Sequence, residues 1–160
     1  LEAYRRYREA ASDPWELKLC GTGKDASIWA MIDAAEGVVD LGFQQPDDLP
    51  SIMAESGAFV LGSLYDPWPL VIVEACASGL PILCTEACGS AVENVRPFYN
   101  GLTVETGDVD SMLNGLLQVH AHEAELPQWG ARSLDFARPY SAENWAIRWG
   151  QWLKELRGEG

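Results

Sequence analysis

Residues 65–93 read YDPWPLVIVEACASGLPILCTEACGSAVE and set one carboxylate, Glu74, within the otherwise apolar, helix-length run 70–78. Apolar or small residues surround the helical wheel there, which predicts a buried helix rather than a surface one. An ionised carboxylate in such a place costs several kcal/mol unless something pairs with it. No Lys or Arg stands between Lys24 and Arg96, so the partner must be distant, backbone or a ligand. The plainer alternative is a helix that reaches solvent at one turn.

Asp66 precedes Glu74 with seven residues between them, in Tyr65-Asp66-Pro67-Trp68-Pro69, directly after the apolar run 58–64. That order predicts a strand, a tight loop and a helix. In a parallel α/β sheet, ligands bind at the carboxyl ends of strands, where the next helix offers unpaired N–H groups and a positive dipole end. An anionic phosphate suits that spot. Glu74, about one turn into the helix, reaches a ribose beside such a phosphate, and a carboxylate accepts from two neighbouring hydroxyls at once. A sugar nucleotide offers both a diol and a diphosphate.

Outward from this stretch, strand and helix alternate, which predicts an α/β fold with a mainly parallel sheet. Helices are expected over 1–11, 25–35, 46–56, 90–95 and 108–121, and strands over 16–20, 38–42, 58–64, 81–84 and 102–104. A chain of 160 residues, 48% apolar, is one domain. Its net charge of −13 argues against nucleic-acid backbones and anionic membrane surfaces as partners. No apolar run approaches the ~20 residues of a membrane span, and no signal segment opens the chain, so a soluble domain is expected.

Cys20, Cys76, Cys84 and Cys88 form no C-x-x-C pair and sit in or beside apolar stretches, as buried free thiols of a reducing compartment do. His120 and His122, two apart, fall on different helix faces, so no shared metal is expected. From a Ser141 N-cap to Leu156, one helix face carries Trp145, Trp149, Trp152, Leu153 and Leu156. Such a stripe most often packs on its own domain; exposed, it would mark an interface.

The series Asp66, Glu74, Ala75, Ala77, Gly79, Pro81 resembles the retaining glycosyltransferases of family 4, in which two acids with seven residues between them lead into E-A-x-A-x-G-x-P. Further likenesses stand in order at Gly21-Thr22-Gly23, Leu41-Gly42-Phe43, Gly89-Ser90-Ala91-Val92-Glu93 and Asn100-Gly101-Leu102-Thr103-Val104, covering residues 1–150. The resemblance implies a Rossmann-like, mainly parallel sheet with helices on both faces: the C-terminal, donor-binding half of a GT-B architecture. The acceptor-binding N-terminal domain would lie outside these residues. By that likeness Glu74 contacts the donor ribose and Asp66, the catalytic candidate, the transferred sugar. Trp68, Pro69, Leu70 and Val71 fall at the diphosphate, Gly21 in the turn after the first strand, and Gly42, Phe43 and Gln44 by the nucleobase.

The implied reaction is retaining transfer from a nucleotide-diphosphate sugar, UDP-sugar favoured, to a glycan, lipid or small-molecule acceptor, without metal or cofactor. The expected location is cytoplasmic, with peripheral membrane contact only through the other domain. Three positions depart from the family pattern. Asp66 replaces the usual Glu and is one methylene shorter. Pro69 replaces Gly and has no N–H. The basic pair that stabilises the leaving diphosphate falls upstream of Leu1, and Lys24 reads as a solvated helix-start residue. The opening Leu1-Glu2-Ala3-Tyr4 has mid-helix character with no Met and no first strand, so a fragment, inactive alone, is expected. The rival readings are an epimerase or phosphorylase of the same architecture, and a catalytically silent nucleotide-binding or scaffolding domain.

Overall fold

The computed structural model describes residues 1–23 and 26–158; Lys24 lies outside them. The order is α1 (Glu2–Ala10), β1 (Leu17–Leu19), α2 (Ala26–Asp33), β2 (Val38–Asp40), α3 (Leu49–Ala54) and β3 (Phe59–Leu61). It continues with α4 (Leu70–Ala77), β4 (Ile82–Thr85), α5 (Ala91–Asn94), β5 (Gly101–Val104), α6 (Val109–Ala121), α7 (Leu126–Ala137) and α8 (Ala142–Leu156). Every strand pair is parallel, as the alternation predicts. The strands divide into two sheets, β1-β2 and β3-β4-β5, with no ladder between them among the described residues.

The core sits on β4, the strand buried along its whole length. Successive side chains point to opposite faces. Ile82 and Cys84 join Ile72, Ala75 and Cys76 of α4 and Val95 after α5 on one face. Leu83 joins Leu102, Val104, Val119 of α6 and Trp129 of α7 on the other. Full burial of each large aliphatic side chain contributes about 1.5–3 kcal/mol. Burial also pushes the Cys76 thiol up to about 11 and the Cys84 thiol up to about 12.

Helix α4 ends in a Schellman turn, with Leu80 N donating to Ala75 O at 3.0 Å and Gly79 N to Cys76 O at 3.0 Å. Gly79 takes the left-handed conformation this requires, φ 74°. Helix α7 crosses α4 at backbone distance: a Cβ on Gly130 would stand 2.0 Å from the Gly79 carbonyl oxygen. The sequence pattern hardly announces α7, because Pro127 stands in its first turn and, beside Leu126 and Trp129, its buried face is built from Gly130, Ser133 and Ala137.

Two expectations are corrected. Helix α8 begins at the Ser141 N-cap, whose side chain accepts from Asn144 N, but it has no buried residue. It packs mainly on the 3-10 turn Arg138–Tyr140, so Trp145, 58% exposed, and Trp152, 58% exposed, face outward and packing on its own domain is overturned. Cys20 is exposed, unlike the other three free thiols, because β1 ends at Leu19 and the next residue has left the sheet. The two histidines join different clusters. His120 Nδ1 meets Tyr7 Oη at 2.6 Å, tying α6 to α1, while His122 Nδ1 meets Gln118 O at 2.7 Å. No helix among the described residues is long and apolar enough to cross a membrane.

Candidate functional site

The loop between β3 and α4 begins at the carboxyl end of a parallel strand and carries Asp66, Trp68 and Pro69. Two of its residues are prolines, which have no N–H, so it has fewer backbone donors of its own. A neighbouring segment holds it. Asp66 N donates to Ala87 O at 3.2 Å, Gly89 N donates to Asp66 O at 2.9 Å, and Asp66 and Cys88 form an isolated parallel bridge. A Cβ on Gly89 would fall 2.0 Å from the Pro67 carbonyl oxygen, so glycine is what allows this approach. Ser90, fully buried, donates its hydroxyl to Pro69 O at 2.9 Å. The sequence signal for these holding residues is the proline pair itself, which leaves the loop short of donors.

Asp66 is half-buried, and its Oδ1 accepts from Trp68 N at 3.2 Å. The Trp68 amide, expected at a ligand, is therefore occupied by the loop's own carboxylate, in the way an Asx turn closes. Asp66 Oδ2 has no partner among the described residues. Pro69 is the N-cap of α4, at φ −65° and ψ 107°, and no side chain caps the helix. The first amides of a helix have no intrahelical acceptor, so Leu70 and Val71 leave two N–H groups at the positive end of the dipole. Proline at the cap removes a donor where Gly would have kept one.

The burial expected for Glu74 is corrected: the residue is exposed. Helix α4 turns Ile72, Ala75 and Cys76 into the core and presents Leu70, Glu74 and Ala77 on the opposite face. Small and apolar residues occupy both faces, which is why the sequence does not separate them. The Glu74 carboxylate has no hydrogen bond or ion pair among the described residues, although the backbone carbonyl accepts from Ser78 N and Ser78 Oγ. On the same helix face Leu70 is 64% exposed, and Leu64, Tyr65 and Trp68 of the preceding loop are exposed as well. An unpaired carboxylate thus lies about one turn above a bare helix N-terminus.

The second group of expected residues lies past the ends of β1 and β2. Gly21, φ 135°, donates its N–H to Gly42 O at 2.8 Å, and Gly42, φ 63°, donates to Asp40 Oδ1 at 2.8 Å. Gln44 Nε2 bonds back to Leu41 O, and Phe43 is 62% exposed. Gly21 and Gly42 are thus brought together. No hydrogen bond among the described residues links them to the Asp66–Glu74 group.

The family model for glycosyl transferases group 1 matches residues 1–133. The chain is 31% identical over 124 residues to the O-antigen chain mannosyltransferase B of Escherichia coli, covering 76% of this chain and 32% of that protein. Sucrose-phosphate synthase from Thermosynechococcus elongatus superposes with a TM-score of 0.79 at 22% identity, over 99% of this chain and 42% of that one. The pneumococcal O-GlcNAc transferase GtfA in complex with UDP and GlcNAc does so with a TM-score of 0.81 at 16% identity, over 97% and 32%. The chain therefore spans about a third of the mannosyltransferase and less than half of either solved structure.

Proposed function

The chain belongs to the group 1 glycosyltransferases, and from that premise we propose that it is the donor-binding half of a retaining enzyme that takes a nucleotide-diphosphate sugar between the head of α4 and Glu74. The observation that carries this is the exposed, unpaired Glu74 above the uncapped amides of Leu70 and Val71. The two amides and the helix dipole receive the diphosphate, and Glu74 accepts from both ribose hydroxyls. Asp66, with Oδ2 free, accepts from a hydroxyl of the transferred sugar and orients it. Phe43 and Gln44 border the base.

During transfer, negative charge collects on the departing diphosphate, where donors fixed in advance stabilise it most. This chain contributes the α4 amides; the basic pair would come from residues upstream of Leu1, and the acceptor site from the other half of the enzyme. UDP is the preferred carrier, in keeping with the UDP held by the pneumococcal relative, and donor binding is metal-independent. A cytoplasmic enzyme that builds glycans suits this reading. Pro69 and the occupied Trp68 amide weaken the diphosphate cradle, which is the observation favouring a catalytically silent binding domain as the second reading.

Calorimetry with UDP, GDP and ADP, on the chain and on Glu74→Gln, tests the proposal. One nucleotide should bind, in the millimolar range or tighter, unchanged by EDTA. Glu74→Gln keeps the shape and removes the charge, and should weaken binding about tenfold. No binding by any of the three, or equal binding by the variant, overturns the donor site.

A further inference from the structure

We propose that Ser90 is a positioning residue for the donor site, setting the height of the first turn of α4 and with it the direction of the Leu70 and Val71 amides. The inference rests on the donor-site reading above and names what fixes that site's geometry. The residues between Asp66 and Leu70 have few backbone donors of their own: Pro67 and Pro69 have none, and Trp68 N is spent on Asp66 Oδ1. The last carbonyl before the helix, Pro69 O, accepts from Ile72 N at 3.3 Å and from Ser90 Oγ at 2.9 Å. The hydroxyl is the one group outside α4 found to grip that carbonyl among the described residues.

Ser90 is itself held by a chain of buried polar groups that reaches across the domain. Its carbonyl accepts from Asn94 Nδ2 at 2.8 Å. Asn94 O accepts from Asn100 Nδ2 at 2.9 Å, and Asn100 Nδ2 also meets Ser133 Oγ of α7 at 3.2 Å. Asn100 Oδ1 accepts from Arg96 N at 2.8 Å. Ser90, Asn94, Asn100 and Ser133 are all fully buried. Buried polar groups are expensive unless satisfied, and satisfied ones are rigid; in this network only Asn94 Oδ1 has no partner among the described residues. One end of this network stops at Pro69 O and the other touches α7 at Ser133, without which Asn100 still donates to Asn94 O and accepts from Arg96 N. Gly89, beside Ser90, seats the loop from below, because any Cβ there would strike Pro67 O.

The test compares Ser90→Ala with Ser133→Ala, which removes a buried hydroxyl from the far end of the same network. Amide shifts and hydrogen exchange over residues 66–73 are followed without ligand, and UDP affinity is measured alongside. Ser90→Ala should speed exchange at Ile72 and Val73, shift the Leu70 and Val71 amides and weaken UDP about tenfold. Ser133→Ala should lower the melting temperature comparably yet leave those amides in place and UDP affinity within about twofold. Gly89→Ala, which displaces the loop without deleting a polar group, should reproduce the UDP loss.

Unperturbed loop amides in Ser90→Ala, or equal perturbation by Ser133→Ala, overturn the positioning role. Unchanged UDP affinity in Ser90→Ala overturns it as well. Perturbed amides in a chain that binds no nucleotide uphold the mechanical role and defeat the donor-site reading instead.

Discussion

Helices α4 and α8 both expose large apolar side chains, yet they relate to the domain in opposite ways. Helix α4 buries Ile72, Ala75 and Cys76 completely and exposes its other face at the candidate site. Helix α8 has fifteen residues and no buried one. The position of α4 is fixed by the core, so its exposed face can carry geometry. That of α8 is fixed chiefly at one end, and its Trp stripe is surface for which the described chain has no use. Apolar residues in a helix report that a surface is destined to be covered; they do not report by what.

Truncating each helix separates the two cases. Ile72→Ala, a large-to-small change at a fully buried position, should cost about 2–5 kcal/mol in urea unfolding. An effect below about 1 kcal/mol would mean α4 is not anchored as described. The buried thiols, Cys76 of α4 and Cys84 of β4, give a pH-gated loss. Burial raises Cys76 to about 11 and Cys84 to about 12. Unfolded thiols ionise near their ordinary value of about 8.5. Above that pH the unfolded state releases protons the folded state retains, so stability is full below about pH 8.5 and falls as pH rises toward 11–12. Cys84→Ala should flatten that part of the curve.

Caps sharpen the comparison. Asp108, whose Oδ1 accepts from Ser111 N at 2.6 Å, starts the core-packed α6, and Asp108→Ala should cost about 1 kcal/mol of global stability. Ser141→Ala removes the equivalent contact from α8 and should lower ellipticity at 222 nm while leaving the unfolding midpoint nearly unmoved. Smallest of all, Trp149→Ala on the α8 stripe should stay within about 0.5 kcal/mol. A loss of 2 kcal/mol there would show that α8 folds back onto the domain in solution.

The alternation of strands and helices was legible because β4 and the segments around it are short apolar runs bounded by turns, and the Asp66–Glu74 spacing located the loop and its helix. Glu74 was misread for a physical reason. A helix of small and apolar residues has no polar face to betray which side is bare, so composition predicted burial where packing gives exposure. Helix α7 stayed hidden because it packs through Gly130 and Ser133, which contribute shape and hydrogen bonding rather than hydrophobic periodicity. The grip of Ser90 on Pro69 joins positions twenty-one residues apart, and only the chain's return through β4 brings them together. The occupied Trp68 amide needed side-chain geometry that spacing does not contain.

The division of the strands into two parallel sheets has a bearing on handling. One margin each of β1 and β3 runs no ladder with any described strand, and an unpaired strand margin is a template for self-association. The safeguard is long-range repulsion: at a net charge of −13, copies of the chain keep one another at a distance while salt is low. With the screening length near 8 Å at physiological ionic strength, that safeguard thins. The chain's colloidal behaviour is thereby tied to buffer composition, and low-salt, neutral solutions are the conditions expected to disfavour self-association.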